Sequence, residues 1–240
     1  MKVSNQVYML EVTGPRSTMW PVLLKDENDL ILIDTAYPVQ SENLQKAIEA
    51  EGFSLSELTQ IFITHHDIDH IGCVNDLLQH APDAKIWASE WEAPYIRGEK
   101  PAFKITDMQE KFESMTKPVQ DWYGLFKEQM EAIEPVRVDE LLQDGDLLPF
   151  CGGIRVVATP GHTPGHLCYY VEKDAVLIPG DTLTALDQKL LGPKIDFTCD
   201  MELALRSDEK LRSLGAKKIV CIHGGIVDGE FPSELIANIW

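Results

Sequence analysis

Basic residues are scarce: 21 Lys and Arg stand against 39 Asp and Glu in 240 residues, a net charge of −18. Such a surface repels phosphate backbones, which argues against nucleic acid and anionic membranes as partners. Long apolar runs are missing too. No stretch reaches the roughly 18 residues of a membrane span, and the opening MKVSNQVYMLEV has no basic segment leading into an apolar one. A cytoplasmic location with no membrane partner is the expectation. Cysteine is sparse and odd in number, with Cys73, Cys151, Cys168, Cys199 and Cys221 scattered and never spaced C-x-x-C. That excludes a disulfide framework and a zinc ribbon, and the five read as reduced, mostly buried thiols. Cys73 and Cys221 neighbour candidate ligands at positions better suited to lining a core. Neither a G-x-S-x-G nucleophile elbow nor a phosphate-cradling glycine loop occurs.

What is present is a 44% hydrophobic chain, enough to bury a large core, and one domain over residues 1–240 is expected. Short apolar runs bounded by turn residues predict strands at Val7 to Val12, Pro21 to Lys25, Leu30 to Asp34, Gln60 to Thr64 and Lys85 to Ser89. Later ones fall at Arg155 to Ala158, Cys168 to Val171, Ala175 to Ile178 and Lys218 to Ile222. Helical spacing marks Ser41 to Glu51, the stretch from Ile71 and Glu202 to Leu214, while Ser54 and Glu57 have capping-box spacing. Strand runs flanked by helices thus occur twice, which predicts two similar sheet layers with helices outside. Residues 94–135 differ. Met108, Phe112 and Met115, then Trp122, Phe126 and Met130, fit two amphipathic helices broken at Pro118, a helical insertion within the domain.

Four loops, each after an apolar strand, gather metal-binding residue types. His65, Asp67, Asp69 and His70 lie in HHDIDH, His162 in TPGHTPGH, Asp181 in PGDT and His223 in IHGG. Strand-end loops are where side chains from distant segments converge, and a hard or borderline cation needs several imidazoles and carboxylates on fixed backbone. Singly, Asp69 reads as a helix cap and each histidine as a hydrogen-bonded residue. Their order is what changes the reading.

The series H-x-D-x-D-H, PGHTPGH, GDT and a final strand with HGG, preceded by LIDTA at Leu32 to Ala36, resembles the ordered motifs of the metallo-β-lactamase superfamily. The match runs from Asp34 to Gly225. The resemblance implies an α+β fold, a four-layer αβ/βα sandwich with the helical insertion over the active site and metals at one edge between the sheets. It further implies that His65, the residue at 67 and His162 hold a first metal, that Asp69, His70 and His223 hold a second, and that Asp181 bridges them with a hydroxide. One position departs: where the family commonly has a second His, this chain has Asp67. Either Asp67 binds, or it turns away and leaves a weakened or single-metal site. Two divalent ions are expected, zinc first, with iron or manganese kept open because the added carboxylate makes the site harder. Asp34 and His166 read as groups that orient ligands, and His66 as a loop-stabilising or solvent-facing residue.

In the chemistry so implied, a metal-bridging hydroxide attacks the substrate, Asp69 orients it, and Asp69 and Asp181 are the catalytic carboxylates. The expectation is an enzyme, a metallo-hydrolase acting on a small ester, lactone or thioester. The alternative, motivated by Asp67, is an iron-dependent oxidoreductase of the same fold, flavodiiron-like or sulfur dioxygenase-like. The substrate is expected to be small and partly hydrophobic, met by an apolar wall from Trp91, Tyr95, Phe103, Trp122, Tyr123 and Phe126. The same aromatics suit packing or a homodimer contact. The acyl-glutathione hydrolase branch, which usually adds a basic C-terminal domain, reads as a poor fit to a sequence ending at Trp240. The quorum-quenching lactonases place a Tyr soon after the bridging Asp, where Thr182, Leu183 and Thr184 stand here.

Overall fold

In the computed structural model, which describes residues 1–15, 17–229, 231–232 and 235–238, two six-stranded sheets face each other. The first runs Val7–Met9, Val22–Lys25, Leu30–Ile33, Gln60–Phe62, Lys85–Ser89 and Glu140–Leu142, adjacent in chain order. Its first three strands pair antiparallel and the rest parallel. Parallel neighbours need a crossover, and the helix Ser41–Ala50 supplies one, burying Leu44 and Ile48 four residues apart. Leu30–Ile33 is buried along its whole length, as a strand covered on both faces must be.

The second sheet has the order Gly225–Asp228, Lys218–Cys221, Val176–Ile178, Leu167–Val171, Ile154–Ala158 and Leu147–Leu148. Strand periodicity divides its side chains between two layers. Val156, Tyr169, Val171, Ile178 and Val220 join the core between the sheets, whereas Val157, Cys168, Tyr170, Leu177 and Ile219 join a second core that includes Leu211. Leu211 belongs to the helix Met201–Arg212, which starts with the Asp200 carboxylate accepting from Leu203 N at 3.0 Å. The layers are therefore helix, sheet, sheet, helix, the expected α+β sandwich. The sheets are tied at one end, where Leu167 N donates to Thr64 O at 3.0 Å and the Tyr169 hydroxyl to Ile63 O at 2.9 Å. That tied end is where the sequence motifs lie.

Between the two sheets in sequence come the helices Ala93–Ile96, Phe103–Lys111 and Lys117–Glu131, with Pro118 in the first turn of the last, where a missing N–H costs nothing. Phe112–Ser114 forms a 3-10 turn between them. A smaller sheet of Thr184–Leu186, Lys189–Lys194 and Ile236–Asn238 flanks the second sheet. Among the described residues no helix is long and apolar enough to cross a membrane.

Candidate metal centre

The centre is built outward from Asp34. This residue ends the strand Leu30–Ile33 at φ 57°, a left-handed conformation that costs a non-glycine residue energy. Its carboxylate accepts from Thr64 N, from the Thr64 hydroxyl and from His70 Nδ1, each at 2.8 Å. Because the Thr64 proton goes to Asp34, the Thr64 oxygen is left to accept from His65 Nδ1 at 2.9 Å. Both imidazoles thus carry their hydrogens at Nδ1 and turn Nε2 lone pairs inward. The Nε2 atoms of His65 and His70 are buried with no hydrogen-bond partner.

Asp67 opens the short helix Ile68–Ile71 without making a capping hydrogen bond, so its carboxylate points into the centre. It lies 3.2 Å from His65 Nε2 and 3.2 Å from His162 Nε2. His162 comes from the loop after Ile154–Ala158, Asp181 from the turn after Val176–Ile178, and His223 from the end of Lys218–Cys221. Asp181 Oδ1 is 3.2 Å from His70 Nε2 and 3.4 Å from His223 Nε2, while Oδ2 is 3.5 Å from His162 Nε2. His223 Nε2 is also 3.4 Å from Asp69 Oδ2, and His70 Nε2 is 3.8 Å from Asp69 Oδ1. All seven residues singled out in the sequence are therefore brought together. They form three overlapping groups, His65–Asp67–His162, His65–His70–Asp181 and Asp69–His70–His223, with ligand atoms within 4.8 Å of one another in each. Four ligands at ~2.0–2.2 Å around a tetrahedral ion lie roughly 3.4 Å apart. The separations above are of that size.

Electrostatics point the same way. Burial works against ionisation of Asp181, but His223, His70 and His162 outweigh it and hold the carboxyl well below its usual range. Burial would likewise lower His70, yet Asp181, Asp34 and Asp69 push it well above an ordinary histidine. His223 is driven up to about 10 because the carboxylates of Asp181 and Asp69 outweigh its burial. Three buried carboxylates gathered around two imidazoles are a cluster that demands positive charge. With the bare Nε2 of His70 and the unpartnered Oδ1 of Asp181, this fits a divalent cation held by Asp69, His70, Asp181 and His223. The donors are oxygen and nitrogen only; among the described residues no cysteine joins them. Cys73 and Cys168 are buried thiols pushed up to about 12 by desolvation, and all five cysteines are free.

Two glycines let the loops close this tightly. A Cβ on Gly180 (φ 52°) would meet His166 Nε2 at 2.5 Å, and one on Gly224 (φ 106°) would meet the Ala185 carbonyl oxygen at 1.8 Å. His166 orients Asp181 rather than joining the ligand groups. Its Nε2 accepts from Asp181 N at 3.0 Å, and Nδ1 faces Thr159 Oγ1 at 2.8 Å. Burial and the neighbouring His162 lower it to about 3, so it stays neutral and able to accept.

Three residues of the centre carry no motif. Glu92, fully buried, accepts from His66 N (3.0 Å), Thr163 Oγ1 (2.7 Å) and Gly165 N (2.8 Å) and pairs with His66 Nδ1, clamping the HHDIDH loop to PGHTPGH. His66 is thus a buried loop-stabilising residue and does not face solvent. Tyr37 hydrogen-bonds Asp69, and burial followed by the charges of Asp69 and Asp181 pushes its phenol far up. Lys104, 6% exposed, sets its ammonium on Asp67 Oδ2 and 2.9 Å from His162 Nε2. Burial opposes the charge of Asp67, but Lys104 and His65 hold that carboxyl well below its usual range. The first ligand cluster therefore already contains a cation. A metal ion does not fit among His65, Asp67 and His162 while Lys104 is seated there.

A cavity of about 730 Å³ opens over the centre, with Asp67, Asp69, His162, Asp181 and His223 among its lining residues. Its apolar lining comes from Leu125, Phe126, Leu186, Leu191 and Phe197, beside Tyr37. Of the expected aromatic wall, only Phe126 takes part among the described side chains. Trp91 is 66% exposed, Tyr95 stacks on His66 with ring centroids 4.6 Å apart, Phe103 meets Tyr95 edge-on, and Tyr123 packs on Phe112. The Trp122 side chain lies outside the described residues.

Comparison with known proteins gives a consistent set of matches. The sequence pattern of the metallo-beta-lactamase superfamily matches residues 20–223. A probable metallo-hydrolase of Bacillus subtilis (YflN) is 30% identical over 231 residues, 89% of this chain and 82% of that one. A hydroxyacylglutathione hydrolase of Salmonella typhi is 29% identical over 163 residues, 68% of this chain but 45% of the relative. Among solved structures, a metallo-beta-lactamase family protein of Thermus thermophilus superposes with a TM-score of 0.75 at 24% identity, covering 95% of this chain and 76% of that one.

Proposed function

Because the chain belongs to the metallo-β-lactamase superfamily, as one of its metallo-hydrolases, we propose that it cleaves a small ester, lactone or thioester with a partly apolar acyl group. The observation that carries this reading is the convergence of Asp69, His70, Asp181 and His223 at metal-ligand spacings, with Asp69, Asp181 and His223 lining a cavity that has an apolar wall. The relationship to hydroxyacylglutathione hydrolases supports the thioester. It also weighs against setting that branch aside, although the chain spans about half the length of those relatives.

Asp69, His70, Asp181 and His223 would hold a divalent cation, which would supply a bound water with its pKa lowered from ~15.7 toward ~7 and an electrophile for a substrate oxygen. The chain's own groups do the rest. Asp69 lies on the cavity side of the ligand set and accepts a hydrogen bond from the attacking water, orienting its lone pair. Asp181, fixed through His166, keeps its two oxygens divided between the two ligand clusters. Tyr37, held protonated by burial and by its hydrogen bond to Asp69, turns its single O–H from that carboxylate to the oxygen on which charge develops. Leu186, Leu191 and Phe197 exclude water from around the acyl group. With nitrogen and oxygen donors and no thiolate, zinc is the proposed ion, and iron or manganese suit the same donors. The iron-dependent oxidoreductase reading drew on Asp67, and the pairing of that carboxylate with Lys104 removes its motive.

The test is turnover on a panel of lactones, thioesters, aryl esters, phosphodiesters and β-lactams, before and after removal of metal by a chelator. Ester or thioester cleavage lost on chelation and regained with Zn²⁺ is the expected result. Turnover that survives complete metal removal, or that is confined to phosphodiesters, overturns the proposal.

A further inference from the structure

The two ligand clusters have similar internal spacing, 3.2 Å between neighbouring donor atoms in the first and 3.2–3.8 Å in the second, but only the first has a side-chain ammonium seated in it. Into the first, Lys104 projects an ammonium that touches Asp67 and His162 together. An ammonium bonded to a carboxylate oxygen and an imidazole lone pair stands where an ion bridging those atoms would stand. We propose that Lys104 replaces the first metal ion, so that this chain takes one divalent cation, at Asp69, His70, Asp181 and His223, and completes the pair with its own side chain. The inference rests on reading the centre as a metal site.

Its second support is the way Lys104 is held. The preceding residue, Phe103, donates its backbone N–H to His66 Nε2 at 3.0 Å. His66 is in turn gripped through Nδ1 by the buried carboxylate of Glu92 and covered by the ring of Tyr95. The start of the helix Phe103–Lys111 is thereby anchored to the same loop that carries His65 and Asp67, with the lysine one residue past the anchor. A lysine resting by chance over a cleft has no such fixture. Charge agrees as well: Asp67 is the one carboxylate in the first cluster, and Lys104 neutralises it, whereas among the described residues the ion pairs of Asp69 and Asp181 in the second are with imidazoles. Lys104 also reaches the cavity, so its one remaining N–H is available to a bound substrate oxygen, where it makes a charge-assisted hydrogen bond in place of a Lewis acid. The Asp at position 67 is then explained: a lysine needs a carboxylate partner where a metal accepts an imidazole.

Titration of metal-free protein with Co²⁺, followed by its visible absorption and by metal analysis after gel filtration, counts the sites. Wild type should saturate at one equivalent. Lys104→Met, which keeps the length of the side chain and deletes the charge, and Lys104→Ala, which also opens the space, should bind a second equivalent, with circular dichroism reporting that each variant is folded. Two equivalents in folded wild type overturn the inference while leaving the metal centre intact. One equivalent in both folded variants overturns it too, since Lys104 is then not what closes the first site. No binding in wild type at any concentration sinks the metal reading itself, and this inference with it.

Discussion

Asp181 faces both ligand clusters, one oxygen toward His70 and His223 and the other toward His162. Replacing it with Ala removes a ligand and leaves two histidines whose charge it balanced. Loss of a group that merely orients a ligand already costs about 10–100-fold, so Asp181→Ala should lower kcat/KM by more than about 100-fold and reduce bound metal, with the melting curve still cooperative. Undiminished kcat/KM in the variant excludes the residue from the reaction. Tyr37→Phe tests a subtler role. A hydrogen bond to a charged group is worth about 1.5–3 kcal/mol, hence a loss of about 10- to 100-fold in kcat with metal content unchanged; if only KM moves, Tyr37 binds substrate without stabilising charge. The seven ligand candidates were legible because each follows an apolar strand in a recognisable order. Tyr37, Glu92 and Lys104 were not. Each stands in a segment with no ligand spacing, and a lysine or glutamate on a helical stretch reads as a solvated face until the packing of that stretch is known.

Elements act here through what they pin. The Glu92 carboxylate holds two loops and, through His66, the start of the helix Phe103–Lys111. Glu92→Gln keeps the shape but loses the charge opposite His66. Burial opposes ionisation of Glu92, and His66 outweighs it, so the native carboxylate is the stable form. The variant should bind metal about 10- to 100-fold more weakly in a competition assay against a chelator dye, and unaltered affinity shows that the clamp is not needed to set the ligands. The helix Met201–Arg212 offers a pH test away from the centre. Asp208 is buried on it with one unpartnered oxygen, and desolvation raises its carboxyl from 3.8 to about 7 against the pull of Arg212. A raised native value means that the folded state holds the proton more tightly. The stability this lends is complete below about pH 4 and is lost as pH climbs through about 7. Asp208→Asn, which mimics the protonated acid, should therefore leave Tm unchanged at about pH 4 and raise it at about pH 8 by roughly 2–4 °C per kcal/mol relieved. Equal shifts at both pH values mean that ionisation is not the cause. Most long strands were legible from their apolar runs, within a residue or two, and the capping box at Ser54 and Glu57 forms as its spacing predicts. Glu140–Leu142, Leu147–Leu148, Thr184–Leu186, Lys189–Lys194 and Gly225–Asp228 were not: the first three are two or three residues long and half-exposed, the last two contain Gly192 and Pro193 or begin at Gly225, and pairing with neighbours rather than local preference makes them strands.

At the scale of the whole molecule, the net charge of −18 decides how substrates arrive. At about 10 mM salt the Debye length is about 30 Å, so an approaching ligand meets the field of most of the surface; at about 0.5 M only groups within a few ångströms count. Two lysines line the cavity, but Lys104 is paired with Asp67, and Lys194 lies over the Phe197 ring 4.7 Å from its centroid. Neither reverses the long-range field of eighteen uncompensated charges, so at low salt the global term wins for encounter. A neutral lactone or aryl ester should show kcat/KM independent of ionic strength between about 10 mM and 0.5 M. A thioester bearing carboxylates should be repelled at low salt, and its kcat/KM should rise several-fold over the same range, through the encounter step and not through kcat. A fall with salt for the anionic thioester carries the opposite message: the cavity's lysines then dominate capture, and the natural acyl group bears negative charge despite the surface it must cross.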